Sequence, residues 1–315
     1  MYLYLSNIIN FVSVTLCVFV FGVSRILAKR KIHVEYQFIV AFNTTIDLAY
    51  AITCLVEAPC FIMTDNLFFL SMENHTFSTE NDRLVAFLAF TFCGFLQLLL
   101  LNIAIHFYYR YNVVRFSNYC SKTKFLLLYG ACSLWVVLYF VTAQIEIRPA
   151  SNYIDALYTI PDFETNPPMV YVFDLNYWSS ILTTLDFQLT GMAFYIVGGY
   201  FGFKIVKELR RLKASARKAM DAQRYMVRVL IVQAIYPLLV LLLPSTIMVS
   251  LFFLHKTFVP FCFVMGLSVQ SLPILNAISV LLLVPCYRKL ITGSKVSSLN
   301  TTPSIKSPKS LLFFK

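Results

Sequence analysis

Residues Leu98–Arg115 read LLLLNIAIHFYYRYNVVR, and this stretch decides the fold. From Leu98 to Phe107 there is no formal charge. The run then meets Tyr108, Tyr109, Arg110 and Tyr111, with Arg115 five residues beyond Arg110. In water a helix that is apolar on every face and then abruptly basic has nothing to pack its apolar surface against. In a bilayer the same pattern reads as a spanning helix reaching the headgroups, with aromatics at the boundary and cations just past it. The expectation is a span over about 84–108, followed by a basic loop that holds Arg110, Arg115, Lys122 and Lys124.

Composition extends this to the whole chain. Of 315 residues, 59% are hydrophobic and 13% charged, with a mean hydropathy of +0.72. Soluble domains lie near 45–50% apolar and about 25% charged, so the expected class is an all-α membrane protein. At about 20 residues per span the chain holds roughly seven helices. They are placed at about 3–27, 36–63, 84–108, 125–144, 177–203, 229–254 and 258–284, a seven-transmembrane helix bundle within a 1–289 domain. The remainder, 290–315, is rich in Ser, Thr, Lys and Pro and reads as a disordered tail.

The net charge of +11 tests the orientation. With the N-terminus outside, all of the 26 Lys and Arg except Arg83, Arg148 and Lys256 fall on cytoplasmic segments, the C-terminus among them. The outer segments, about 64–83 and 145–176, read as polar loops. They carry Asp65, Glu73, Glu80 and Asp82, then Glu146, Asp155, Asp162, Glu164 and Asp174. The excess charge therefore belongs to a surface facing anionic lipid and inner partners, and not to nucleic acid. The densest basic stretch, Lys204–Arg228, orients the chain on lipid and is able to steer an acidic partner. Asn74-His75-Thr76 is a glycosylation sequon on the outer side.

Polar groups inside the spans are the candidate site. Asp47, Glu57 and Asp186 lie at lipid depth, where an ionisable group faces the bundle interior. Asp47 is expected to meet Asn276 as a polar contact between helices 2 and 7. Glu57, Phe92, Gln97, Asp186 and Gln188 are candidates for lining a ligand pocket, and hydrogen bonding between helices is an equal alternative for the polar ones. Gln97 lies 13 residues before Arg110, so roughly 20 Å higher. Eight cysteines show no metal spacing, and no metal or cofactor is expected. No HExxH, GxSxG or phosphate loop is present, so an enzyme is not expected.

The local motifs carry the reading further. His106-Phe107-Tyr108-Tyr109-Arg110-Tyr111 resembles the helix 3 end of nematode serpentine chemoreceptors of the Str superfamily. Leu230 to Pro237, followed by Pro244, resembles that family's L-x-x-Q-x-x-x-P…P pattern. Pro59 matches its usual proline, and Leu272-Pro273-Ile274-Leu275-Asn276-Ala277 with Tyr287-Arg288 has the spacing of its YPxxDP…YR. Asn276 and Ala277 depart from Asp-Pro there. The outer segment 145–176 has no cysteine, so no disulfide from the top of helix 3 is expected and Cys93 is expected free.

The resemblance implies a G-protein-coupled olfactory-type receptor for a small-molecule odorant, in the plasma membrane of a chemosensory neuron's cilium. It also implies coupling to a heterotrimeric G protein through Tyr109, Arg110, Tyr111, Arg115, Lys207, Arg210 and Arg211. A guanidinium at a helix's inner end can contact carbonyls at the C-terminus of a docked helix. Anchoring of helix 3 in headgroups is the alternative role for Arg110. A transporter or ligand-gated channel is the rival class. It would want paired repeats with broken helices in corresponding positions, and no two-fold repeat is visible.

Overall fold

The computed structural model of the chain describes residues 1–30, 34–64, 67–74, 81–116, 122–143, 148–158, 169–211, 227, 229–256 and 259–292. Among the described residues nine helices carry the bundle: α1 Tyr2–Lys29, α2 Val34–Glu57, α3 Asp82–Phe116, α4 Lys122–Ala143, α5 Trp178–Arg211, α6 Val229–Phe253, α7 Val259–Gln270, α8 Leu272–Leu283 and α9 Pro285–Ile291. Among the described residues, α1, α2, α3, α5 and α6 are each long and apolar enough to cross a membrane, and α7 with α8 makes a sixth such unit, bent by 41°. Helix α4 adds 22 residues that open on Lys122 and Lys124.

The expected helix over 36–63 is too long. Helix α2 stops at Glu57, and Ala58 turns the chain with a φ of +46°. Proline at 59 disfavours helical backbone at the residue before it and brings no N–H to continue the ladder. Beyond it Pro59–Met63 is a strand, β1. It pairs antiparallel with β2, Leu67–Met72, which pairs in turn with β3, Met169–Asp174. Parts of both segments expected to be polar loops are thus strands of one sheet in the order β1-β2-β3.

The register explains how this sheet closes one end of the bundle. Phe61 faces Leu70, and Leu70 faces Tyr171. By the two-residue period these side chains share a face with Met63, Phe68, Met72 and Phe173. That face joins the largest core cluster, with Phe90, Phe92 and Phe252. The other face carries Cys60, Ile62, Phe69, Val170 and Val172 and packs under Tyr2, Tyr153, Ala156 and Phe263. Both faces are therefore covered. Tyr153 donates to Asp174 at 3.1 Å. Burial first, then this bond, raises its phenol above the ordinary range.

Helix α3 runs past the expected 108. Arg110 and Arg115 lie on the helix and not in a loop. Nothing between Tyr108 and Phe116 breaks a helix, and Phe107, Tyr111 and Val114 continue an inward stripe at three- and four-residue spacing. Helix α6 keeps its two prolines by a local π turn at Leu238–Leu242, directly after Pro237. The single helix expected over 258–284 is instead broken at Ser271, one residue before Leu272 and Pro273 open α8. Helix α9 extends order to Ile291, past the expected boundary at 289, and 293–315 lie outside the described residues.

Helix α1 shows why polar residues are tolerated in a span. Its buried stripe is Ser6, Asn10, Ser13, Cys17, Val20, Ser24 and Leu27, at helical spacing. Ser6 donates to Gln270 Oε1 at 2.6 Å, and Asn10 donates to the same oxygen at 2.8 Å and to the Cys54 carbonyl at 3.1 Å. Gln270 Nε2 donates to the Tyr2 hydroxyl at 3.0 Å and to the Pro59 carbonyl at 2.8 Å, and Tyr2 donates to that carbonyl at 2.6 Å. Helices α1, α2 and α7 and strand β1 are thus tied through the two amides of Asn10 and Gln270. A second tie lies at the opposite end. The Tyr287 hydroxyl donates to Gln37 at 2.6 Å and lies 2.6 Å from Ser24 Oγ.

Candidate functional site

Among the described residues the bundle holds a cavity of about 60 Å³ toward Arg110 and another of about 60 Å³ beneath the sheet. The first is built by polar residues set into apolar helices. Helix α2 contributes Tyr36, Asn43, Thr44 and Asp47, α3 contributes Asn102, His106 and Arg110, α6 contributes Gln233 and Pro237, and α8 contributes Asn276. Arg110 is buried, 5% exposed, with its guanidinium 4.9 Å from the Tyr36 ring and 6.0 Å from that of Tyr109. One turn earlier, Asn43 Nδ2 donates to His106 Nδ1 at 3.1 Å, which leaves the ring proton on Nε2. Among the described residues His106 Nε2, Asn102 Oδ1 and Asn43 Oδ1 have no hydrogen-bond partner. Polar atoms left open around a shared space suit water or a polar insertion.

At the far wall of this cavity Asn276 Nδ2 donates to Asp47 Oδ1 at 2.9 Å. Replacing Asn276 by leucine leaves a buried carboxyl without that donor, which costs about 1–3 kcal/mol. The expected result is a lower thermal midpoint for the detergent-solubilised protein, with Asn276→Gln intermediate. A leucine variant that melts with the parent would refute the contact's weight.

The second cavity is almost wholly apolar. Its roof is Phe61, Phe68, Leu70 and Phe173 from the three strands. Its walls include Cys93 and Leu96 of α3, Tyr139 of α4, Phe187 and Gln188 of α5, and Leu241, Ser245 and Met248 of α6. The polar groups are few and spoken for. Ser245 donates to Gln188 Oε1 at 3.1 Å, and Gln188 Nε2 donates to Thr246. A small, largely apolar space with a few convergent polar groups suits a weakly polar small molecule.

The residues picked out from the sequence divide between these places. Of Glu57, Phe92, Gln97, Asp186 and Gln188, the structure puts only Gln188 on the sheet-end cavity wall. Phe92 is core packing, its ring 5.8 Å from that of Tyr50 and 5.9 Å from that of Phe61. Glu57 and Gln97 are buried, and Glu57 Oε2 and both amide atoms of Gln97 lack a hydrogen-bond partner among the described residues. Asp186 is half-buried on α5. The cavity missed them because its roof is a sheet, which draws the lining toward strand residues. Asn43, Asn102 and His106, by contrast, were findable as polar positions recurring on the inner halves of apolar spans.

Tyr109 and Tyr111 are buried beside Arg110. Arg115, at the helix end, donates to the Tyr111 hydroxyl, and Lys204 of α5 lies 5.8 Å from the same ring. Lys207, Arg210 and Arg211 are exposed on the last turns of α5, and the remainder of the basic stretch to 226 and Arg228 lie outside the described residues. Asn74 Nδ2 donates to the Val56 carbonyl at 2.9 Å. Among the described residues seven cysteines carry free thiols, Cys93 among them.

Comparison with curated proteins returns no match. A family profile described as serpentine type 7TM GPCR chemoreceptor Str matches residues 3–292.

Proposed function

We propose that this chain, which belongs to the Str family of serpentine seven-transmembrane chemoreceptors, is an olfactory-type receptor that binds a small environmental molecule beneath the sheet and activates a heterotrimeric G protein at the Arg110 end. The chain is a multi-pass membrane protein of a receptor family. In this reading α4 is a span alongside the others, the N-terminus is outside and the C-terminus cytoplasmic. Asn74 is then on the outer side, where it accepts a glycan. The cell is a chemosensory neuron of a nematode, with the receptor in its sensory cilium.

The observation that supports the coupling is the placement of the π turn. On α6, Leu241, Ser245 and Met248 line the sheet-end cavity, while Gln233 and Pro237 line the Arg110 cavity. The π turn Leu238–Leu242 follows Pro237 directly and itself carries Leu241, so it joins the two sets. A helix loosened at that point can tilt its Arg110-end half when its other half repacks around a ligand. The ligand shifts the equilibrium only by its differential affinity for the two arrangements. Opening the lower half uncovers Arg110, with Tyr109, Tyr111 and Arg115 beside it and Lys207, Arg210 and Arg211 on the flank. These present donors and positive charge to the carbonyl end of a docked helix.

The test is expression with a calcium reporter against a panel of small odorants, in parallel with Met248→Trp. Met248 is buried on the cavity wall, and the larger ring occupies the space. Overpacking of this kind costs about 1–3 kcal/mol, so loss of response at normal surface level is expected. A response that survives the filled cavity places the ligand elsewhere.

A further inference from the structure

A third space, open to the described surface, shares only Ile103 with the Arg110 cavity and nothing with the one beneath the sheet. It is an open trench of about 730 Å³ between α5 and α6, floored by Ile103 and Phe107 of α3. Glycines make it. Gly198 and Gly202 on α5 sit against α3, where an added Cβ would lie 3.7 Å from Ala104 Cα and 3.2 Å from the Phe107 ring. A Cβ on Gly199 would meet nothing within 4 Å, so that side of α5 is bare. The rims, Phe203 on one side and Ile231 and Ile235 on the other, are exposed and apolar.

One end of the trench is different. Lys207, Arg210 and Arg211 line it. Among the described residues the only ion pair at this end is Arg211 with Glu208, at 3.4 Å. From Tyr195 to Arg211 the trench follows α5 for about 24 Å. That is about half of a bilayer some 40–45 Å thick with its headgroups. A partner confined to the cytosol reaches the basic end but not the trench beside Tyr195 and Leu238. A lipid of the same leaflet reaches all of it.

We propose that this trench holds one anionic phospholipid, its acyl chains against Gly199, Phe107 and Ile235 and its phosphate and acidic headgroup on Lys207, Arg210 and Arg211. The inference rests on reading α5 and α6 as spans with the Arg211 end at a membrane surface. It does not depend on the ligand or the G protein. The bound lipid fills the side of α6 opposite the Arg110 cavity, so the lower half of α6 moves against lipid on one face and the bundle on the other.

The full-length receptor is reconstituted in nanodiscs of equal parts dioleoyl phosphatidylserine and phosphatidylcholine, then released for native mass spectrometry. The parent is expected to retain one phosphatidylserine, with a preference over phosphatidylcholine of about fivefold or more, from roughly 1 kcal/mol for each basic residue at the surface. Gly199→Phe and Gly199→Leu, which fill the trench from its bare side, are expected to lose the retained lipid while keeping the parent's melting midpoint. The triple variant Lys207→Gln, Arg210→Gln, Arg211→Gln is expected to keep a lipid and lose the preference. Equal retention of the two lipids by the parent overturns the proposal, as does unchanged phosphatidylserine in both folded Gly199 variants. A receptor dimer that disappears in the Gly199 variants would assign the trench to a second copy instead. Lipid retention with no odorant response would leave this site standing and remove the signalling role.

Discussion

Replacing Arg110 by alanine is expected to abolish the odorant-evoked response while the receptor remains on the cell surface. Arg110 is held ready rather than free in solution: it is buried on α3, over the Tyr36 ring at 4.9 Å and within the cavity that also receives Asn43, His106 and Asn276. Stacking of a desolvated guanidinium on an aromatic ring is worth about 2 kcal/mol, which is a tolerable loss for the folded state. The signalling loss is expected to be far larger, because truncating a buried, hydrogen-bonded charge at an interface costs about 2–5 kcal/mol or more of partner affinity. That is a factor of about 30 to several thousand in coupling. Lysine keeps the charge without the planar fork, so Arg110→Lys is expected to respond weakly and at higher odorant concentration. The readout is calcium or cyclic nucleotide normalised to surface labelling. A full response from Arg110→Ala at normal surface level would reduce this residue to a headgroup anchor.

The second large effect concerns folding. Gln270→Leu removes the amide that accepts from Ser6 and Asn10 and donates to Tyr2 and the Pro59 carbonyl. All of these groups are buried or nearly so, and leucine offers none of them a partner. At about 1–3 kcal/mol for each buried polar group left open, with some rearrangement, the variant is expected to lose about 3 kcal/mol or more. In a chain of 315 residues that lowers the melting midpoint by about 5 °C or more. Gln270→Glu keeps the acceptor and loses the donor, so its midpoint is expected between the two. The measurement is thermal denaturation in detergent. A leucine variant with the parent's midpoint would mean that Tyr2 and Asn10 find other partners without strain.

Much of the bundle was legible because a membrane span states itself in length and lack of charge. The starts of α3 and α5 fall within two residues of the places expected from hydropathy. What hydropathy does not encode is a stop inside an apolar run. Cys60 to Met63 is as apolar as the helix before it, so only Pro59 and the backbone of Ala58 mark the change to strand. The runs Leu67–Met72 and Met169–Asp174 are each six residues long, a length at which strand and helix share one pattern. Charge misled at the other end. Arg110 was expected in the loop after α3 because arginine at a span's end belongs in water, yet Tyr36 covers it and the helix continues. Asp47 and Asn276 were legible as a pair because each is a polar group inside an apolar span, at matching depth. The cavity beneath the sheet was not, since Phe68, Leu70 and Phe173 of its roof come from segments that a charge count assigns to solvent.

The sheet also dates its own completion. Strands β1 and β2 are a hairpin made within a few residues of each other, whereas β3 lies on the far side of α3 and α4 in the chain. During synthesis the third strand does not exist until both of those helices have been made, and it reaches β2 only after they have turned back across the bundle. The N-terminal helices therefore spend that interval with the β2 edge unpaired and its aromatic face uncovered. Pairing so distant in sequence is slow to form, and an unpaired apolar edge is open to the wrong partner. The roof cannot close before β3 has been made, and a nascent chain stalled before Met169 still carries that open edge.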